Sequence, residues 1–276
     1  MNLIIQGANI ATPDLKHLAK LAAASAIEAI SPSAFRLCNA SAHDEIAPHC
    51  EQVKLDFAFV PPERRLADVR LAVMDMDSTL ITIECIDEIA DMQGLKPQVA
   101  AITAAAMRGE IDYPQSLRER VALLKGLDAG ALNRVYNERV RLSPGAEIMI
   151  ARFRRLGIKT LLVSGGFTFF TERIRERLQL DYTRSNVLEI ASGTLTGRVI
   201  GEIVDAEVKR HALLERRDEL GIAREQVIGM GDGANDLKFM SESAVGIAYH
   251  AKPVVRAQAT HALTYVGLDG VLNLFN

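Results

Sequence analysis

The stretch Val69-Arg70-Leu71-Ala72-Val73-Met74-Asp75-Met76-Asp77-Ser78-Thr79 decides the fold. Its first six residues are apolar apart from Arg70 and run straight into two acids. That is the pattern of a strand buried on both faces, with a polar loop at its carboxyl end. A strand covered on both faces needs helices above and below it, which implies a parallel sheet with helical crossovers. The chain downstream supplies them. After Ser143-Pro144 a helix closed by Gly157 leads to a strand at 158–163. A second helix follows, then a hairpin-like pair around Ser192-Gly193. A helix after Asp205 leads to a strand at 227–230, and 244–247 and 263–266 read as two more. The class is α/β, a doubly wound parallel sheet.

One block interrupts the alternation. From Glu84 to about Val140 the chain reads as successive helices punctuated by Gly94, Gly109 and Gly126, with no strand signal. A helical insert directly after the first strand reads as a cap. Ahead of the core, 2–7 looks like a strand. Thr12 is expected as N-cap and Pro13 as first residue of a helix reaching about Ile30. Strands are expected at 34–38 and 53–60, and Pro61-Pro62 with Glu63-Arg64-Arg65 reads as a linker. The expected domains are an α+β module at 1–65, a core at 66–82 and 142–276, and a helical cap at 83–141.

Composition narrows the function. The 276 residues carry a net charge of −3 with 49% hydrophobic side chains. There is no basic surplus to drive nucleic-acid or membrane-surface binding. Cys38, Cys50 and Cys85 lack metal-ligand spacing and read as reduced thiols. No leader pattern and no membrane span is legible, so the cytoplasm is the expected location. His43 and His49, near Cys50, also lack ligand spacing and are expected at the surface.

Ligands of open parallel sheets sit at the carboxyl ends of the strands. Three such ends carry suggestive loops: Asp75 to Thr79, Ser164-Gly165-Gly166, and Gly231-Asp232-Gly233-Ala234-Asn235-Asp236; Lys209 starts the helix between the last two. Each feature alone has a bland reading as a solvated turn or a surface lysine. Together, in this order, they suit phosphoryl chemistry. A carboxylate such as Asp75 can attack phosphorus, dividing hydrolysis into two easier steps. Asp77, two residues on, can face the same site, protonate a poor leaving group, and then activate water. Asp232 with Asp75 offers hard oxygen ligands to Mg²⁺, which offsets the repulsion between carboxylate and phosphate. Lys209 adds a positive charge. Ser164 and the Gly165 N–H can hold phosphate oxygens at a helix start.

This set of motifs resembles the haloacid dehalogenase (HAD-like) superfamily, and within it the phosphoserine phosphatase branch, from about Val69 to Leu274. The resemblance implies a Rossmann-like core and a cap in the place read above. It implies Asp75 as nucleophile, Asp77 as acid and base, and Mg²⁺ held by the Asp75 and Asp232 side chains and the Asp77 main-chain carbonyl. Asp236 would support the metal from behind, and Asn235 would lie near phosphate and leaving group. Glu84, nine residues after the nucleophile, would meet a substrate ammonium. Arg120, within Ser116-Leu117-Arg118-Glu119-Arg120-Val121, would grip a carboxylate. Met107 and Tyr113 fall where apolar cap residues are implied, Tyr113 in place of a common phenylalanine. The implied reaction is hydrolysis of O-phospho-L-serine, the last step of serine synthesis. A zwitterion presents one cation and one anion beyond its phosphate, which one acid and one fork-shaped base would complement.

Other readings stay open at this level. A phosphotransferase, or a phosphatase for another small metabolite, would share the same core. A phospho-aspartate signalling receiver combines similar residues but does not need a cap to exclude water. The module at 1–65 resembles a regulatory domain only loosely; amino-acid sensing, a solubility role and homodimer formation are all compatible with it.

Overall fold

In the computed structural model, which describes residues 1–276, the N-terminal module is a four-stranded antiparallel sheet with two helices. Its elements are β1 (Asn2–Gln6), α1 (Thr12–Leu21), β2 (Ala26–Ser31), β3 (Ala34–Cys38), α2 (Ile46–Gln52) and β4 (Asp56–Val60), with strand order β2-β3-β1-β4. Period-two alternation divides β1 between two cores. Leu3 and Ile5 pack with Leu15, Leu18 and Ile46 of the helices, while Ile4, with Ala58 and Val60 of β4, joins the main core of the protein.

The helix expected from Thr12 to about Ile30 is shorter in the structure. It stops at Leu21, Ala23 turns at φ 48°, and Ala26–Ser31 pairs antiparallel with β3. The alanine-rich segment favours helix locally, but cross-strand pairing outweighs that preference. Ala11 is the N-cap, without a side-chain bond, so Thr12 is already helical.

Beyond the linker come β5 (Leu71–Met74), α3 (Cys85–Asp91), α4 (Lys96–Met107), α5 (Tyr113–Ala122), α6 (Gly130–Glu138), α7 (Ala146–Arg155), β6 (Lys159–Phe167), α8 (Thr168–Leu178), β7 (Tyr182–Ala191), β8 (Thr194–Ile200), α9 (Ala206–Glu219), β9 (Val227–Gly231), α10 (Leu237–Ser241), β10 (Val245–Tyr249), α11 (Pro253–Arg256) and β11 (His261–Leu263). The sheet order is β11-β10-β9-β5-β6-β7-β8, parallel throughout except for β8 against β7. All four residues of β5 are buried. Leu71 and Val73 face α9 and α10, while Ala72 and Met74 face the larger core with α7, α8 and the helical insert. Such complete burial contributes about 1.5–3 kcal/mol per large apolar side chain. The β7–β8 turn is Ser192-Gly193, both at positive φ (49° and 76°), the two-residue geometry that twisted hairpins favour.

The helical insert α3–α6 is tied at its base and at its far loop. Its entry and exit strands pair at Ile81 and Leu142, with Ser143 N–H donating to the Leu80 carbonyl. Its far loop pairs with the hairpin: Gly126 N–H donates to Leu195 O and Leu195 N–H to Leu127 O, each at 2.8 Å.

The module is stapled to the end of the core. The Asp56 carboxylate accepts from the N–H groups of Thr264, Tyr265 and Val266 at 2.7, 2.8 and 3.1 Å. Arg64 in the linker donates to His261 Nε2 at 2.6 Å, and Asn273 donates to Gln6. A cleft of about 530 Å³ at this seam is lined by residues such as Phe57, Phe59 and Arg256, and it includes none of the motif residues. No helix is long and apolar enough to cross a membrane.

Candidate active site

From the β5/β9 boundary the connections run off in opposite directions, toward β6–β8 on one side and β10–β11 on the other. A crevice opens at the carboxyl ends of the strands where an open sheet reverses order in this way. The loops after β5 and β9 and the irregular stretch of β6 between Val163 and Phe167 converge there.

Asp75 follows β5 directly and is buried. Its Oδ1 accepts the Met76 N–H at 2.7 Å and lies 2.8 Å from Lys209 Nζ. Asp205 caps α9 by accepting from the N–H groups of Glu207 and Val208, both at 2.9 Å, which sets Lys209 one turn into that helix. Lys209 is only 1% exposed and also donates to Asp236 Oδ1 at 2.8 Å. Burial by itself would lower the Lys209 pKa. The charges of Asp236 and Asp75 outweigh it and raise the value, so the ammonium stays protonated. Asp236 is fully buried, and its second oxygen accepts the Gly233 N–H at 3.0 Å. A Cβ on Gly231 would lie 2.4 Å from that carboxylate, so the approach of Asp236 requires glycine there. Asp232 Oδ1 accepts from Thr79 Oγ1 at 3.0 Å.

The carboxylate oxygens of Asp75, Asp232 and Asp236 lie within 4.8 Å of one another. Three acids against one ammonium leave surplus negative charge in a dry place. Asp75 is accordingly pushed up by burial and then by the neighbouring Asp236, and Asp232 is raised to about 6 for the same reasons. The donor set is all oxygen, the kind hard divalent cations take, and a cation would offset the surplus. One oxygen of Asp75 and one of Asp232 have no protein hydrogen bond, whereas both oxygens of Asp236 are engaged. The residues therefore fit magnesium.

The Asp77 side chain stands outside that group, its Oδ1 accepting the Cys85 N–H at 3.1 Å. Burial raises it to about 6, opposed by the Cys85 hydrogen bonds and the Lys209 charge. Next to it, Ser78 adopts φ 54°, an uncommon conformation for a non-glycine residue, and donates to Glu84 Oε1 at 2.6 Å. Glu84 lies at the solvent-facing rim and is raised by desolvation and then by the Asp77 charge. Arg120 of α5 is half-buried; its charge lowers Glu84, Asp87 and Tyr113. Its one hydrogen bond runs from Nε to the Ser116 carbonyl at 3.3 Å, and it has no ion-pair partner.

Ser164 is fully buried within β6, in the break of register between Val163 and Phe167, its Oγ accepting the Gly166 N–H at 2.8 Å. A Cβ on Gly166 would lie 2.6 Å from Asp77 Oδ2, which places the loop directly beneath that acid. The Gly165 carbonyl accepts from Tyr113 OH at 3.2 Å and from Asn186 Nδ2 at 2.8 Å.

Asp75, Asp77, Ser164, Gly165, Lys209, Asp232 and Asp236 thus surround one crevice, with Glu84 and Arg120 on its rim. Asn235 is half-buried, its Oδ1 turned back close to Gly233. Met107 ends α4 and is 65% exposed. His43 is exposed, whereas His49 is half-buried against Asp14 at 3.1 Å; neither belongs to a metal-type cluster. Sequence reasoning missed Ser78, Cys85 and Asn186. Thr79 was visible only as the end of its motif, and nothing in the sequence signalled Asn186.

The haloacid dehalogenase-like hydrolase profile matches residues 72–241, and a domain of unknown function matches residues 3–46. The phosphoserine phosphatase of Polaromonas sp. is 57% identical over 218 residues, 77% of this chain and 92% of that protein. The unliganded crystal structure of a probable phosphoserine phosphatase from Vibrio cholerae superposes with a TM-score of 0.87 at 36% identity, covering 99% of this chain and 85% of that one. A phospho-aspartyl intermediate analogue of phosphoserine phosphatase superposes with a TM-score of 0.71 at 36% identity, over 75% of this chain and 99% of the other.

Proposed function

As the chain belongs to the haloacid dehalogenase-like hydrolase family and is a phosphatase, we propose that it hydrolyses O-phospho-L-serine to L-serine and phosphate. The observation that carries the substrate is the rim of the crevice. One carboxylate, Glu84, and one guanidinium without an ion-pair partner, Arg120, stand close enough to feel each other's charge. That pair complements an ammonium and a carboxylate on one small molecule.

In this reading one oxygen of the Asp75 carboxylate attacks phosphorus. The new Asp75–phosphorus bond forms as the bond to the serine oxygen breaks, and Asp77 passes its proton to that oxygen. Asp77, now a carboxylate, takes a proton from the attacking water. Water adds to phosphorus and Asp75 is released as a carboxylate. Ser164, the Gly165 N–H and Lys209 hold the phosphate oxygens, and Asn235 lies beside the leaving group. Asp75, Asp232 and the main-chain carbonyl of Asp77 would hold Mg²⁺, backed by Asp236. When bound, the ion supplies positive charge that lets an anionic nucleophile approach an anionic phosphate.

The proposed division is a module at 1–65, a core at 66–82 and 142–276, and a cap at 83–141 that excludes water. We place the reaction at the closing step of serine synthesis, in the cytoplasm, in keeping with three unpaired cysteines. The open edge of β2 is where a homodimer would pair, because its residues are almost all exposed.

The test is a phosphate-release screen with Mg²⁺ over phosphorylated amino acids and sugars, run with and without an added alcohol such as homoserine. Phosphoserine should lead, with phosphate going to water. A faster phosphorylated sugar, or transfer to the alcohol exceeding release, would replace this reading with the corresponding metabolite phosphatase or phosphotransferase.

A further inference from the structure

The Gly165 carbonyl is the most heavily held point of the phosphate loop, and both holders come from elsewhere in the chain. Asn186, on β7, donates to it at 2.8 Å, and Tyr113, on α5, donates at 3.2 Å. Asn186 is 1% exposed, and its own Oδ1 accepts the Val204 N–H at 2.8 Å. Those two partners, a carbonyl and an N–H, fix which end of the amide faces which. Val204 immediately precedes Asp205, the residue that caps the helix carrying Lys209. One buried side chain therefore bridges the two elements that hold phosphate, Ser164-Gly165 and Lys209.

The effect reaches the hydroxyl through the peptide plane. Fixing the Gly165 carbonyl fixes the Gly166 N–H on the opposite edge of the same planar unit. That N–H donates to Ser164 Oγ at 2.8 Å. With its oxygen already accepting, the Ser164 hydroxyl has its own hydrogen left to give to a phosphate oxygen. Gly165 cannot carry a side chain here, because a Cβ would come within 2.2 Å of the Tyr113 hydroxyl.

We propose that Asn186 and Tyr113 are positioning residues that clamp one carbonyl, that of Gly165, and so set the donors of the phosphate cradle. The inference rests on the reading of Ser164-Gly165 as the phosphate site. Asn186 is the hold within the core. Tyr113 belongs to the helical insert, so full grip on phosphate requires that insert to be seated. A phenylalanine at 113 would fill the same space and lack the hold.

The experiment is a double-mutant cycle read by inorganic phosphate inhibiting hydrolysis of p-nitrophenyl phosphate, on the full chain with Mg²⁺. Tyr113→Phe removes one oxygen and should raise the phosphate inhibition constant about threefold, the loss of one neutral hydrogen bond. Asn186→Ala should raise it at least about tenfold, since the Val204 N–H is orphaned as well. The double variant should exceed the product of the two factors, because the half-buried carbonyl then keeps neither side-chain donor. A strictly multiplicative double variant would overturn the shared clamp. So would a Tyr113→Phe enzyme with unchanged phosphate inhibition, a result that needs no Asn186 variant to fold. The cycle does not depend on the natural substrate: an enzyme inactive on phosphoserine would remove the proposed substrate and leave the clamp to be judged by the same numbers.

Discussion

Replacing Arg120 by alanine should separate substrates by what they carry beyond phosphate. The Arg120 guanidinium has only Nε engaged, at 3.3 Å, so its two terminal nitrogens remain for a ligand. A charge-assisted hydrogen bond is worth roughly 1.5–3 kcal/mol net. Arg120 is half-buried, so water screens part of the gain, and about 2 kcal/mol for the pair is a fair expectation. At 1.36 kcal/mol per decade, that is a fall of about 30-fold in kcat/KM for phosphoserine. Phosphoethanolamine keeps the ammonium and lacks the carboxylate, so it should lose no more than about threefold. Glu84→Gln should give the mirror image, sparing phospholactate, which keeps the carboxylate and lacks the ammonium. Initial rates by phosphate release, with all three substrates on both variants, complete the comparison. If Arg120→Ala slowed phosphoserine and phosphoethanolamine equally, Arg120 would be shaping the fold of α5 and the specificity argument would fail.

Asp77→Asn should cost about 10²–10⁴ in kcat with phosphoserine and far less with p-nitrophenyl phosphate, whose leaving group needs no proton; equal losses would deny Asp77 the acid role. Adding Mg²⁺ at about a hundred times its Kd should stabilise the chain by about 2.7 kcal/mol, a rise of roughly 5 °C in Tm by scanning calorimetry. Asp232→Asn should abolish that rise, and a full shift in the variant would remove Asp232 from the metal site. His261 is lowered from 6.5 to about 4, by burial and then by the Arg64 charge. Above pH 6.5 it is neutral whether the chain is folded or unfolded. As pH falls from there toward 4, only the unfolded chain takes the proton, so stability is lost, by about 2 kcal/mol at pH 5. Urea unfolding at pH 7 and pH 5 should show that loss largely gone in His261→Gln, which keeps an acceptor for Arg64; equal losses in both proteins would contradict it.

Much of this was legible because one strand announced itself. Leu71 to Met74 lies between two parallel neighbours, so both faces select apolar residues and leave a pattern that survives without tertiary knowledge. The acids after it, the Ser164 segment and the Asp232 loop share one crevice because they belong to the neighbouring central strands β5, β6 and β9, while Lys209 reaches it from the start of α9, beyond the edge strand β8. The segment 22–31 was misread because helix propensity is local, while the partner that makes it a strand, β3, is specified elsewhere. Ile46–Gln52 was missed because a helix of seven residues carries too few turns for periodicity to show. Asn186 was invisible because an asparagine in a strand carries no mark of the carbonyl it will meet 21 residues away.

The staple at Asp56 bears on the order in which the molecule can be completed. Its three partners lie 208 to 210 residues later in the chain. A ribosome releases the module long before it makes them, so the module waits, with an uncompensated acid and an uncovered sheet face, until they arrive. During that interval Ile4, Ala58 and Val60 lack most of the core they join in the finished fold, and that apolar face is open to other chains.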